Sequence, residues 1–136
     1  MRLMGLDVGD SRVGIALSDP LGATAQPLKT VDRDDGTVAS LAELVKELGV
    51  ERIVVGLPLL MDGSEGRQAE SVRMFVERLA GTVDVPVTLV DERLTTREAE
   101  AVLSEGGARR GERRGASDRV AAALILRAYM DGVPEA

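Results

Sequence analysis

The stretch Leu3 to Asp19, written LMGLDVGDSRVGIALSD, leaves this chain the fewest choices. Two short apolar runs flank a tight Gly-Asp-Ser-Arg connection, the pattern of a β-hairpin. Near the end of the first run stands one carboxylate, Asp7, among Leu3, Met4, Leu6 and Val8. An aspartate in so apolar a strand is costly unless it is paired, hydrogen-bonded or bound to a cation. Gly5, Gly9 and Gly14 keep the neighbouring backbone bare of side chains, as close approach by a ligand would require. Asp7 is therefore the seed of a candidate metal site, unless it serves only to cap the turn at Gly9.

What that site can do is narrowed by two absences, since the 136 residues include no cysteine and no histidine. Disulfides, thiolate catalysis and cysteine-ligated metals are excluded. So are the commonest general base and the commonest transition-metal ligand. Acid–base or metal chemistry falls to carboxylates, whose oxygens favour magnesium or manganese.

The length suits one domain spanning residues 1–136. The opening MRLMGLDVG lacks the apolar core of a signal peptide, and no apolar run approaches the ~20 residues of a membrane span. A soluble, cytoplasmic protein with no membrane partner is expected. A net charge of −6 argues against a general polyanion binder. Even so, Arg109, Arg110, Arg113 and Arg114, with Arg119 close behind, form a local basic strip able to bind phosphates, or else a solvated loop. With one Tyr and one Phe, stacking on aromatic platforms contributes little to such binding.

Periodicity places strands at about residues 2–8, 12–18 and 24–30, with Pro27 marking an edge or a bulge. Val38, Leu41, Leu44, Val45 and Leu48 recur at helical spacing from Thr37, and Gly49 closes that helix. RIVVGLP at 52–58 is continuously apolar, as in a parallel strand buried on both faces. The loop LLMDGSEG leads to a helix at about 65–80, with Asp62 and Glu65 resembling a capping box. The Ser64-Glu65-Gly66 turn would also let backbone amides face a phosphate. A fifth strand at about 85–91 ends in Asp91 and Glu92, and Thr95 with Glu98 predicts a short helix at about 96–104, stopped by Gly106 and Gly107. A basic loop, 108–116, then precedes a last helix from Ser117 to about 131, apolar on most sides.

Three strands joined by short loops, then strands joined through helices, imply an α/β fold with a mixed five-stranded sheet. Strands 1–3 are antiparallel and strands 1, 4 and 5 parallel, which fits the ribonuclease H-like fold. Ligands gather outside the carboxyl ends of parallel strands. Asp7, Asp91, Glu92 and Asp118 are thus expected to converge on one edge as candidate metal ligands. Carboxylates so placed repel one another, and divalent cations relieve the repulsion; two such ions can cleave a phosphodiester. Asp91 and Glu92 alternate in direction, so one is structural and pairs with Arg93. Asp118 also reads simply as a helix-start acid held by the dipole.

GLDVGDSRVGIALSD, IVVGLPLLMDGSEGRQAESVRMF, VDERLTT and SDRVAAALIL together resemble the successive blocks of the YqgF/RuvX family. The resemblance runs from about residue 2 to 131. Its members are small bacterial proteins of ribonuclease H-like fold, described as Holliday-junction resolvases and as nucleases of pre-16S ribosomal RNA. The resemblance implies catalytic, metal-binding acids at Asp7, Glu92 and Asp118, with Asp91 able to exchange roles with Glu92, and Mg²⁺ or Mn²⁺ as cofactor. Arg12, Arg93, Arg109, Arg110, Arg113 and Arg114 would hold a nucleic-acid backbone. Relatives often carry lysines before Asp118, where this chain has RRGERRGAS. Processing of the 5′ end of 16S rRNA is the leading expectation. Junction resolution, which needs a homodimer, and a noncatalytic ribosome-assembly module are the alternatives. DVGDSRVG also resembles the phosphate loop of actin-like kinases, but 136 residues cannot build that fold's two lobes.

Overall fold

The structure, a computed structural model, describes residues 1–94 and 110–136, with Leu94 and the segment 110–116 described by backbone alone. Its elements are β1 (Leu3–Val8), β2 (Arg12–Ser18), β3 (Ala25–Asp32), α1 (Thr37–Leu48), β4 (Arg52–Leu57), α2 (Arg67–Ala80), β5 (Val87–Asp91), a 3₁₀ turn (Glu92–Leu94) and α3 (Arg110–Met130). The helix expected at 96–104, its glycine stop and Arg109 lie outside the described residues.

One five-stranded sheet runs in the order β3-β2-β1-β4-β5. β1 pairs antiparallel with β2, and β2 with β3. β1 pairs parallel with β4, and β4 with β5. This is the mixed, ribonuclease H-like sheet that the element order implied. Pro27 sits on the outer strand β3, where a missing N–H is tolerated. Ile15 pairs with Lys29 but Ala16 with Pro27, so Leu28 is the extra residue of a bulge.

Strand alternation sorts the side chains of β1 onto two faces. Met4, Leu6 and Val8 join Ile53, Val55 and Leu57 in a core that also takes Leu41 and Val45 of α1 and Val72, Phe75 and Leu79 of α2. On the other face, Leu3, Val54 and Val90 pack with Ala122, Ile125 and Leu126 of α3. Asp7 therefore belongs, with Gly5, to the face that α3 covers. α3 lies this close because the glycines below it have no side chains. A Cβ on Gly5 would stand 2.6 Å from the Ala122 carbonyl oxygen, and one on Gly14 would overlap the Asp118 carbonyl. The close approach expected of a ligand at Gly5 and Gly14 is made by a helix instead.

Local expectations at the starts of α2 and α3 are corrected. The segment 110–116, read as a loop for its glycines, is helical. Arginine and glutamate are good helix formers, and each glycine costs only about 1 kcal/mol against the packing of the buried half of α3. Ser117 and Asp118 stand inside the helix rather than at its cap and dipolar start. Asp62 and Glu65 form no capping box either. Leu59 and Glu65 bridge a small hairpin, Asp62 accepts the Ser64 amide at 2.9 Å, and Glu65 accepts Arg73 Nη2 at 2.9 Å. α2 begins at Arg67 without a side-chain cap. At the opposite edge of the sheet, Glu135 bridges Val90 and the Ala136 amide donates to the Leu89 carbonyl at 2.8 Å, covering the outer side of β5. Among the described residues, no helix is long and apolar enough to cross a membrane.

Candidate active site

The carboxyl ends of β1 and β4 and the turn after β5 open onto a cleft of about 770 Å³, lined by Asp7, Asp10, Pro58, Gln68, Glu92 and Arg93 among others. β1 and β5 are not neighbours. With β4 between them, their backbones stand roughly 9–10 Å apart, yet the side chains of Asp7 and Glu92 are hydrogen-bonded. Gly56 explains the contact. It lies on β4 one residue beyond Val55, which is in register with β1, and it pairs with Val90 of β5. A Cβ there would meet Ile125 Cδ1 at 2.5 Å and Glu92 Cγ at 3.3 Å. Because Gly56 has no side chain, Glu92 can reach across β4 to Asp7. A lone glycine inside RIVVGLP was the available signal for this role, since glycine in a strand marks close approach by another group.

Burial is the main reason that the Asp7 carboxyl is pushed from 3.8 up to about 9, followed by its hydrogen bond with Glu92 and the negative charges of Glu92 and Asp118. Near neutral pH Asp7 therefore keeps a proton, and a hydrogen-bonded acid pair occupies the cleft. A divalent cation would do the same work as that proton, and the all-oxygen donor set suits a hard ion. The residues fit Mg²⁺ or Mn²⁺ on those grounds.

Asp118 reaches the same side of the sheet from α3 but does not join the pair. Its Oδ2 accepts Arg12 Nε at 2.6 Å, and it acts on Asp7 only through its charge. Among the described residues, no three acidic side chains stand close enough together to hold one metal ion. Asp91 faces the other way. It accepts the Arg93 backbone amide at 2.9 Å and Arg93 Nη2 at 2.6 Å, and this pairing holds its carboxyl below the usual range. The alternation of Asp91 and Glu92 is thus resolved, with Glu92 in the cleft.

Of the arginines singled out in the sequence, Arg93 lines the cleft and also steadies its rim, donating to the Leu60 and Met61 carbonyls at 3.3 Å each. Arg12 is engaged with Asp118. Arg110, Arg113 and Arg114 belong to α3, where positions 110 and 114 lie two turns and one turn before Asp118 along one side of the helix. Arg33 had no sequence signal. It donates to the Gly9 carbonyl at 2.9 Å and the Ser71 carbonyl at 3.2 Å, tying the β1–β2 turn to α2 beside the cleft.

This arrangement invites comparison with known proteins. The model of the RuvX family, described as Holliday junction resolvase, matches residues 1–132. The chain belongs to that family. A protein of Moorella thermoacetica named "Putative pre-16S rRNA nuclease" is 53% identical over 133 residues, covering 96% of this chain and 95% of the relative. One of Syntrophus aciditrophicus with the same name is 48% identical over 137 residues, covering 99% and 91%. Among solved structures, RuvC of Thermus thermophilus in complex with a Holliday junction substrate aligns with a TM-score of 0.62 at 18% identity, covering 100% of this chain and 99% of that one. The Fowlpox virus resolvase in complex with junction DNA gives 0.58 at 11%, covering 96% and 97%. At such identities these two structures speak for the RuvX chain's fold.

Proposed function

We propose that this RuvX-family chain is a divalent-metal-dependent endonuclease that hydrolyses phosphodiester bonds in structured nucleic acid, with the 5′ end of pre-16S rRNA as its substrate. The observation that carries the chemistry is the Asp7–Glu92 contact across Gly56. The substrate rests on near-full-length relatives named for that RNA.

Asp7 and Glu92 would hold Mg²⁺ or Mn²⁺, with Asp118 as the third acid; Asp91, committed to Arg93, would stay outside. Bound there, the ions would supply Lewis acidity, stabilising negative charge on the attacking and leaving oxygens of the phosphodiester. Asp7 would have to release its proton to hold a cation, so loading would depend on pH. Arg12, Arg93, Arg109, Arg110, Arg113 and Arg114 would hold the phosphate backbone. Such contacts position a substrate without reading its bases, so recognition follows shape.

The test is purified protein incubated with a precursor rRNA and with a four-way DNA junction, in Mg²⁺ or Mn²⁺, beside Asp7→Asn. The precursor is cut by the parent chain, and the folded variant loses on the order of a hundredfold or more in rate. Undiminished cleavage by Asp7→Asn would remove this site from the reaction. A second reading, junction resolution, is favoured by the family description and by the resolvase fold. It requires paired cuts by a homodimer, so a chain that stays monomeric on and off DNA counts against it. Should acid-to-amide changes spare function in cells while reversal of the arginines destroys it, a noncatalytic assembly role replaces both.

A further inference from the structure

Asp118 is the acid out of place. It shares the α3-covered face with Asp7 and Glu92, yet its carboxylate is bound to Arg12 at 2.6 Å, with side chains only 21% and 35% exposed. The backbone of α3 has no freedom to correct this. The Asp118 carbonyl lies directly over Gly14, and the Ala122 carbonyl over Gly5 one turn later. Only the Asp118 side chain can turn toward Asp7, and it can do so only if Arg12 lets go.

Arg12 has somewhere else to go. It opens β2 beside the turn that leads out of the cleft and is in register with Asp32 of β3, whose charge also acts on it. A guanidinium matches a phosphate at least as well as a carboxylate, since both accept two parallel N–H bonds. A phosphate and Asp118 therefore compete for Arg12, just as Arg12 and a cation compete for Asp118.

We propose that Arg12 is a positioning residue that holds Asp118 away from the Asp7–Glu92 pair until a substrate phosphate draws the guanidinium off. The free chain then binds one divalent cation well, at Asp7 and Glu92, and takes up a second only with nucleic acid present. Substrate and second cation are thereby coupled, and the coupling is reciprocal. This deepens the nuclease reading and rests on it.

The readout is cation binding rather than cleavage. Mn²⁺ is titrated into the full chain by calorimetry, with free Mn²⁺ counted by electron paramagnetic resonance, with and without a phosphorothioate-protected RNA hairpin. The parent chain binds one ion tightly, and a second ion strengthens about tenfold or more when the hairpin is added, the size of one charge-assisted hydrogen bond. Arg12→Gln binds the second ion with that strength without RNA and gains nothing from the hairpin. Arg12→Met, which keeps the apolar stem, does the same. Adding Asp118→Asn to either variant removes the gain and spares the first ion. Identical ion number and affinity in parent and Arg12 variants would overturn the proposal while leaving the nuclease reading intact. Mn²⁺ binding by the parent chain that Asp7→Asn does not weaken would overturn both.

Discussion

With its carboxyl pushed up to about 9, Asp7 binds a proton more tightly in the folded chain than at the unfolded value of 3.8. Its contribution to stability is complete below about pH 4 and is lost as pH rises toward 9. Asp91 acts in the opposite sense, because Arg93 lowers its pKa, and its contribution is lost as pH falls through the folded value. In EDTA, the melting temperature should therefore decline from about pH 5 to pH 9, and Mg²⁺ should recover most of that loss at pH 8. Asp7→Asn removes the charge that has to be buried. It should melt higher than the parent at pH 8 in EDTA, with a flatter pH profile and little response to Mg²⁺. Melts in which the variant keeps the parent's pH slope would show that another group is responsible.

α3 packs against the sheet at three glycines, through helix backbone at Gly5 and Gly14 and through a side chain at Gly56, and they should answer differently to a methyl group. At Gly14 and Gly5 the added Cβ runs into helix carbonyls, which have nowhere to go. Alanine at either position should cost about 3 kcal/mol or more in denaturant unfolding, the upper end for overpacking. At Gly56 the nearest atoms are the tip of Ile125 and the Cγ of Glu92, both on flexible side chains. Gly56→Ala should cost the fold only about 1–2 kcal/mol. Its larger effect should be on Mn²⁺ affinity, because Glu92 is moved off Asp7. The hairpin from Leu59 to Glu65 is held to the rim of the cleft by Arg93, and Arg93→Ala should speed amide exchange at Leu60 and Gly63 while leaving the strands protected.

Over the whole molecule, a net charge of −6 coexists with a run of arginines on one helix that leads toward Asp118. Binding to nucleic acid should then be local, and weak wherever the acidic remainder is brought close. Replacing Arg110, Arg113 and Arg114 with glutamine should flatten the plot of log Kd against log salt by roughly 0.7–0.9 for each phosphate that the variant no longer neutralises. Affinity for different sequences should fall together. A slope unchanged by the triple substitution would place the phosphate-binding groups elsewhere.

The fold was largely legible in the sequence, and for local reasons. Strand pattern, turn glycines and the continuous apolar run at 52–58 depend on neighbours along the chain, and they implied the mixed parallel and antiparallel sheet and the edge on which Asp7 and Glu92 meet. Whether glycines meant a ligand or a helix was not local. Gly5 and Gly14 look alike in the sequence whichever body lies over them, and only packing showed that α3 does. The same packing carried the helix through Gly111 and Gly115 and set Asp118 in its interior. Tertiary structure also separated Glu92 from Asp91 and gave Asp118 to Arg12, 106 residues away. Such pairings are decided by which charges share a low-dielectric space once the sheet has closed, and no spacing along the chain encodes that.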